Sequence, residues 1–136
     1  MDFNVPLHGG GSIGTDRLRG KPMIITFWAT WCDPCKKELP ALAEQYRKHK
    51  AAGLEVVAVN VDSDPSRIAP FLEKMPLPFP IAVDTEKKLM NRFQSRRGGV
   101  PLTFWVQADG TIRQRSTGFD PNKKREFAES VKALLP

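Results

Sequence analysis

A chain of 136 residues, 40% of them hydrophobic and carrying a net charge of +6, has room for one domain with a full apolar core and needs no disulfide scaffold to fold. Its two cysteines and two histidines are too few for a structural zinc site, which wants about four Cys or His ligands. The positive charge sits in small groups (Arg96-Arg97, Arg113 with Arg115, Lys123-Lys124-Arg125) with no basic stripe or base-reading motif, which argues against nucleic acid, and no stretch approaches the roughly 20 apolar residues of a membrane span.

Residues 1–22 hold Gly9, Gly10, Gly11, Gly14 and Gly20 with few long apolar groups, which reads as an extended N-terminal extension with a turn or short hairpin covering a sheet edge. Met23 to Trp28 is a continuous apolar run of strand length, as a central strand covered on both faces requires. From Cys35, the apolar positions Leu39, Leu42, Ala43 and Tyr46 follow helical spacing, with Gly53 as the stop and Pro40 expected to kink the helix. Leu54 to Val61 is a second buried strand, so this helix makes a parallel, right-handed crossover. Asp64-Pro65 opens a further helix carrying Ile68, Phe71, Leu72 and Met75. Pro76, Pro78 and Pro80 end it, Ile81-Ala82-Val83 forms a short strand, and Asp84 caps a helix holding Leu89, Met90 and Phe93. Thr103 to Val106 and Thr111 to Ser116 flank Asp109-Gly110, an antiparallel hairpin signal. Asp120-Pro121 caps a last helix whose Phe127, Val131, Leu134 and Leu135 share a face. The order of elements is that of one α/β domain over residues 1–136.

The chemistry concentrates at Trp31-Cys32-Asp33-Pro34-Cys35, where the only two cysteines stand three positions apart at a strand-to-helix junction. At a helix N-terminus, unpaired N–H groups and the dipole favour a Cys32 thiolate, making it the nucleophile. Cys35, about one turn deeper, is placed to resolve a mixed disulfide formed at Cys32. Pro34 suits the first turn, where no N–H partner is needed. Asp33 opposes a second negative charge beside Cys32, which points to a more reducing pair. The two sulfurs carry both electrons, so no cofactor and no metal is expected.

Trp28-Ala29-Thr30-Trp31-Cys32-Asp33-Pro34-Cys35 followed by Glu38-Leu39-Pro40 resembles the active-site segment of the thioredoxin superfamily. Val100-Pro101-Leu102-Thr103-Phe104 is similar to that superfamily's cis-proline loop. Gly20-Lys21-Pro22, Val59-Asn60-Val61-Asp62 and Asp109-Gly110 resemble the TlpA/ResA branch. The resemblance implies a thioredoxin fold: a central mixed sheet of four or more strands flanked by helices, with an extra strand-helix insertion. It implies a thiol-disulfide oxidoreductase, catalytic at Cys32 and Cys35, contacting substrate through Trp31, Pro34, Val100 and Pro101. Expected partners are client proteins with disulfides and an upstream thiol electron donor, and the protein is expected to act as a monomer. The branch works on the extracytoplasmic side of bacterial membranes, in part in cytochrome c biogenesis. The chain shows no basic-then-apolar leader pattern, so any membrane contact is expected through an N-terminal anchor outside this chain; the expected location is periplasmic or extracytoplasmic, with cytoplasmic as the alternative.

Three departures qualify the resemblance. Thr26 stands where ordinary thioredoxins bury an aspartate, so a proton-shuttling carboxylate must come from elsewhere, with Asp62 or Asp64 as candidates. Leu102 replaces the acidic residue of cytochrome c maturation members. Asp33-Pro34 replaces Gly-Pro. Two other functions fit the same fold: a peroxiredoxin-like peroxidase, with Thr30 near Cys32 but no evident arginine, and a redox-independent peptide-binding or chaperone module. Arg96-Arg97 reads as a solvated loop more readily than as a basic rim for acidic substrates.

Overall fold

The computed structural model describes residues 2–93 and 99–136. Among the described residues, twelve strands and α-helices follow in chain order: β1 (Asn4–Pro6), β2 (Ser12–Gly14), α1 (Thr15–Leu18), β3 (Met23–Trp28), α2 (Asp33–His49), β4 (Glu55–Asn60), α3 (Ile68–Lys74), β5 (Ile81–Val83), α4 (Lys88–Phe93), β6 (Leu102–Val106), β7 (Ile112–Thr117) and α5 (Lys124–Lys132). Five strands form one mixed sheet in the order β5-β4-β3-β6-β7. β3 pairs parallel with β4 and antiparallel with β6, which makes it the central strand. All six of its residues are buried, as its unbroken apolar run requires.

The N-terminal extension forms the expected hairpin: β1 and β2 pair antiparallel. It covers the β5 edge through a bridge from Leu7 to Ala82 and the bond His8 N–H to Ile81 O at 2.8 Å. Burying Phe3, Val5 and Ile13 at no more than 5% exposure fastens it. The opposite edge strand, β7, is exposed along most of its length.

Helix α2 runs past Pro40 to His49. The proline does not end it because Leu39 and Leu42, on either side, are both fully buried and anchor both halves. A further 3-10 turn leads to Gly53, whose φ of 99° is open to glycine and closes the run. Asp64 caps a 3-10 turn over Pro65–Arg67, and α3 begins only after it, at Ile68. Asp84 caps α4 from outside, its two carboxylate oxygens accepting the N–H groups of Leu89 at 3.1 Å and Met90 at 2.9 Å. The hairpin β6–β7 turns at Asp109-Gly110, with Gly110 at φ 91°. α5 packs Phe127 against Trp105 at 5.2 Å between ring centroids and buries Val131.

Candidate active site

The cysteines sit where β3 gives way to α2. Cys32 is the N-cap residue of α2: its Sγ accepts the Cys35 N–H at 3.2 Å, its carbonyl accepts the Lys36 N–H at 3.2 Å, and its own N–H donates to Ala29 O. The nucleophile position inferred from spacing is therefore a helix N-terminus, where orphan N–H groups stabilise a thiolate. Cys32 and Cys35 are joined as a disulfide with Cα atoms 5.3 Å apart. Cys32 lies nearer the surface, at 4% exposure, and Cys35 is fully buried. Trp31 beside them is 64% exposed, one of two large exposed hydrophobic residues among those described. Pro34 is exposed on the same turn. Trp28, by contrast, is a core residue, packed on Phe71 at 4.9 Å.

The loop before β6 faces the pair. The Val100–Pro101 peptide is cis, and the Val100 carbonyl oxygen lies 3.4 Å from Cys32 Sγ. Val100 is half-buried and Pro101 buried. Arg96 and Arg97, read from sequence as a basic rim or a solvated loop, lie outside the described residues. Asp33 is exposed and its carboxylate is 3.6 Å from the Lys36 ammonium, so part of the negative charge expected to act on Cys32 is offset along the helix surface.

Asp62 and Asp64 stand apart in role. Asp62 is buried at the end of β4 and accepts three hydrogen bonds: from Thr30 N–H at 2.8 Å, from the Thr30 hydroxyl at 2.7 Å and from the Asn60 amide at 2.7 Å. It clamps the loop that delivers Cys32. Asp64 is exposed, accepting the Ser66 hydroxyl at 2.6 Å and Ser66 N–H at 3.1 Å, and these bonds hold its carboxyl below the usual range.

Sequence reasoning named Glu38 only within the active-site resemblance and missed its place beside the cysteines. Glu38 lies one helical turn after Cys35 and is 2% exposed. Its Oε1 accepts the Thr26 hydroxyl at 2.6 Å and its Oε2 the Thr103 hydroxyl at 2.9 Å. Burial pushes its carboxyl up to about 7, and the Thr26 and Thr103 hydroxyls pull the other way. Two signals pointed to it: its spacing from Cys35 and Leu42 puts it on the buried face of α2, and Thr26 is the one polar residue in β3.

Glu38 also lines a cavity of about 170 Å³ bounded by α5 and the β6–β7 hairpin. A larger cavity of about 270 Å³ lies at the other end of the sheet, around Met23 and Val106. Among the described residues, no cluster of three or more His, Cys, Asp and Glu side chains is arranged to hold a metal, and no helix is long and apolar enough to cross a membrane. What the arrangement offers chemically is a two-electron dithiol with a buried carboxyl one turn away.

A sequence model of the AhpC/TSA family matches residues 1–115. The chain is 35% identical over 109 residues to the thiol-disulfide oxidoreductase ResA of Bacillus subtilis, covering 80% of this chain and 60% of that protein. To the ResA of Geobacillus kaustophilus it is 37% identical over 118 residues, covering 87% and 66%. It thus spans less than two thirds of the length of these relatives. A structure described as a thiol:disulfide interchange protein DsbE from Chlorobium tepidum superposes with a TM-score of 0.91 at 29% identity, over 100% of this chain and 94% of that one.

Proposed function

Because the chain belongs to the AhpC/TSA family of the thioredoxin superfamily, we propose that it is a protein thiol-disulfide oxidoreductase acting as a reductant, one domain from end to end. The observation that carries this reading is the Cys32–Cys35 pair itself, with Cys32 capping α2 and Cys35 fully buried. In the reduced protein, the Cys32 thiolate attacks a client disulfide, one client sulfur leaves as a thiolate, and a mixed disulfide forms. Cys35 then loses its proton and attacks Cys32 Sγ. The Cys32–Cys35 bond forms, the second client sulfur leaves with the electron pair, and the client ends fully reduced. An upstream thiol donor returns two electrons to the pair.

Glu38 is our choice for the base that takes the Cys35 proton. It is one turn away, buried, and titrates near neutrality, the range in which a general base serves best. Asp62, closed in by three donors, and Asp64, exposed at a cap, are less suited. Trp31 and Pro34 supply exposed surface for a client chain, and the Val100 carbonyl beside Cys32 lies where an extended client segment would pair with backbone. The names of the relatives, a thiol-disulfide oxidoreductase and a thiol:disulfide interchange protein, support disulfides as substrates, and the likeness to ResA and DsbE supports an extracytoplasmic location.

The test is a trap. The Cys35→Ser variant should accumulate clients as mixed disulfides at Cys32 that dithiothreitol releases. Recovering none from the native compartment, with the variant folded, would contradict a protein-disulfide substrate. Steady consumption of hydrogen peroxide with a thiol donor would move the reading to a peroxidase.

A further inference from the structure

Thr26 on β3 and Thr103 on β6 are register partners in the sheet, and both are fully buried. Their hydroxyl oxygens lie 2.9 Å apart. Each also reaches Glu38: Thr26 Oγ1 is 2.6 Å from Oε1, and Thr103 Oγ1 is 2.9 Å from Oε2 and 3.2 Å from Oε1. Each hydroxyl has one proton to give and lone pairs to accept with. When Glu38 is ionised, both hydroxyls donate to the carboxylate and the contact between them holds no proton. When Glu38 carries a proton, a ring closes: Oε2–H donates to Thr103 Oγ1, Thr103 donates to Thr26 Oγ1, and Thr26 donates to Oε1. In both states every hydroxyl or carboxyl proton of the three side chains has an acceptor within reach.

We propose that Thr26 and Thr103 are positioning residues for proton transfer at Glu38, a hydroxyl pair that donates twice to the carboxylate and closes a ring on the carboxylic acid. The proton that Cys35 loses in the resolving step is then stored at Glu38 by rotation of two hydroxyls, without movement of a side chain. This deepens the proposed function and rests on its assignment of Glu38 as the base. A buried hydroxyl also needs a partner for purely structural reasons, so the readout must follow the proton rather than the fold.

Few charges compete for Glu38. β3 and β6 present no charged residue, and its own helix offers Cys35 one turn before it. Lys123, Glu126 and Asp120 face it across the small cavity, all of them exposed.

The experiment compares Thr26→Val/Thr103→Val with Thr26→Ser/Thr103→Ser. Valine keeps the shape of threonine and removes the hydroxyl, whereas serine keeps the hydroxyl. Two quantities are read against pH: the carbon-13 shift of the Glu38 carboxyl in the oxidised protein, and the single-turnover release of the second thiol from a peptide disulfide. In the valine pair the ionised carboxyl loses both donors inside an apolar site, so its midpoint rises. The rate profile should rise with it, lowering the resolving rate at pH 7 about fivefold for a shift of about one unit and recovering at higher pH. The serine pair should keep both curves near those of the parent protein.

A rate profile that stays in place in the valine pair, whether or not the Glu38 midpoint moves, overturns the proposal. Should the double variant fail to fold, Thr26→Val and Thr103→Val singly must each shift both curves upward together, and an unmoved rate profile in both overturns it equally. Glu38→Gln separates the two layers: unchanged resolution in that variant removes Glu38 as the base, whereas slowed resolution beside an unmoved valine profile removes only the threonines.

Discussion

Asp62 and Glu38 are both almost wholly buried, at 1% and 2% exposure, yet their donors differ in kind. Asp62 accepts two N–H groups and one hydroxyl. An N–H donor cannot turn round and accept, and these bonds tie the end of β4 to the Thr30 segment. Among the described residues, Glu38 is held by two hydroxyls alone, and a hydroxyl serves a carboxylate and a carboxylic acid equally well. The contrast teaches that burial does not by itself mark a proton-handling group. The donors differ, and the hydroxyls at Glu38 can donate or accept where they sit.

The largest expected break is at Asp62. Asp62→Ala leaves the Thr30 N–H and the Asn60 amide without their acceptor and should cost about 3 kcal/mol in urea unfolding. A loss near zero would mean that the clamp is idle. Next comes the pH dependence of Glu38. Its folded carboxyl is raised from 4.5 to about 7, so between those values the folded protein holds a proton that the unfolded chain has lost. Stability from this group therefore falls as pH rises from 4.5 to about 7 and levels off above. A shift of this size corresponds to about 3 kcal/mol or less; it should be absent in Glu38→Gln and so appear as a stability difference between the two proteins that falls from pH 4.5 to about 7. A stability difference that is flat with pH would remove the raised titration.

The kinetic side of the comparison is smaller in energy but more specific. Glu38→Gln should slow the resolving step at pH 7 by about 10- to 100-fold while leaving the first attack by Cys32 close to the parent rate. Equal slowing of both steps would point to a disturbed site rather than a lost base. Asp64→Ala should have the smallest effect, a slight loss of thermal stability with the resolving rate unchanged, because Asp64 is an exposed cap. A slowed resolving step there would return Asp64 to the site.

What was legible from sequence was what short-range pattern carries. The apolar run Met23–Trp28, the cysteine spacing and the Asp-Gly turn each imply their own local geometry, and each stands as an element of the fold. The cis peptide before Pro101 was reached through resemblance, since most prolines are trans. Glu38 was passed over because a glutamate in a helix is ordinarily solvated; only the packing of β3, β6 and α2 puts Thr26 and Thr103 against it. The same holds for Asp62, whose role depends on meeting Thr30 from another strand end. Pairings between residues far apart in the chain leave no local trace.

The measurement that tests the account most directly is the reduction potential of the Cys32–Cys35 pair, from equilibration in graded dithiothreitol or glutathione buffers with thiol counting. A reversible two-electron transition near the thioredoxin value of about −270 mV is the predicted result. A transition near about −120 mV, as in DsbA, would make the protein an oxidant, and no reversible transition at all would contradict the redox account outright.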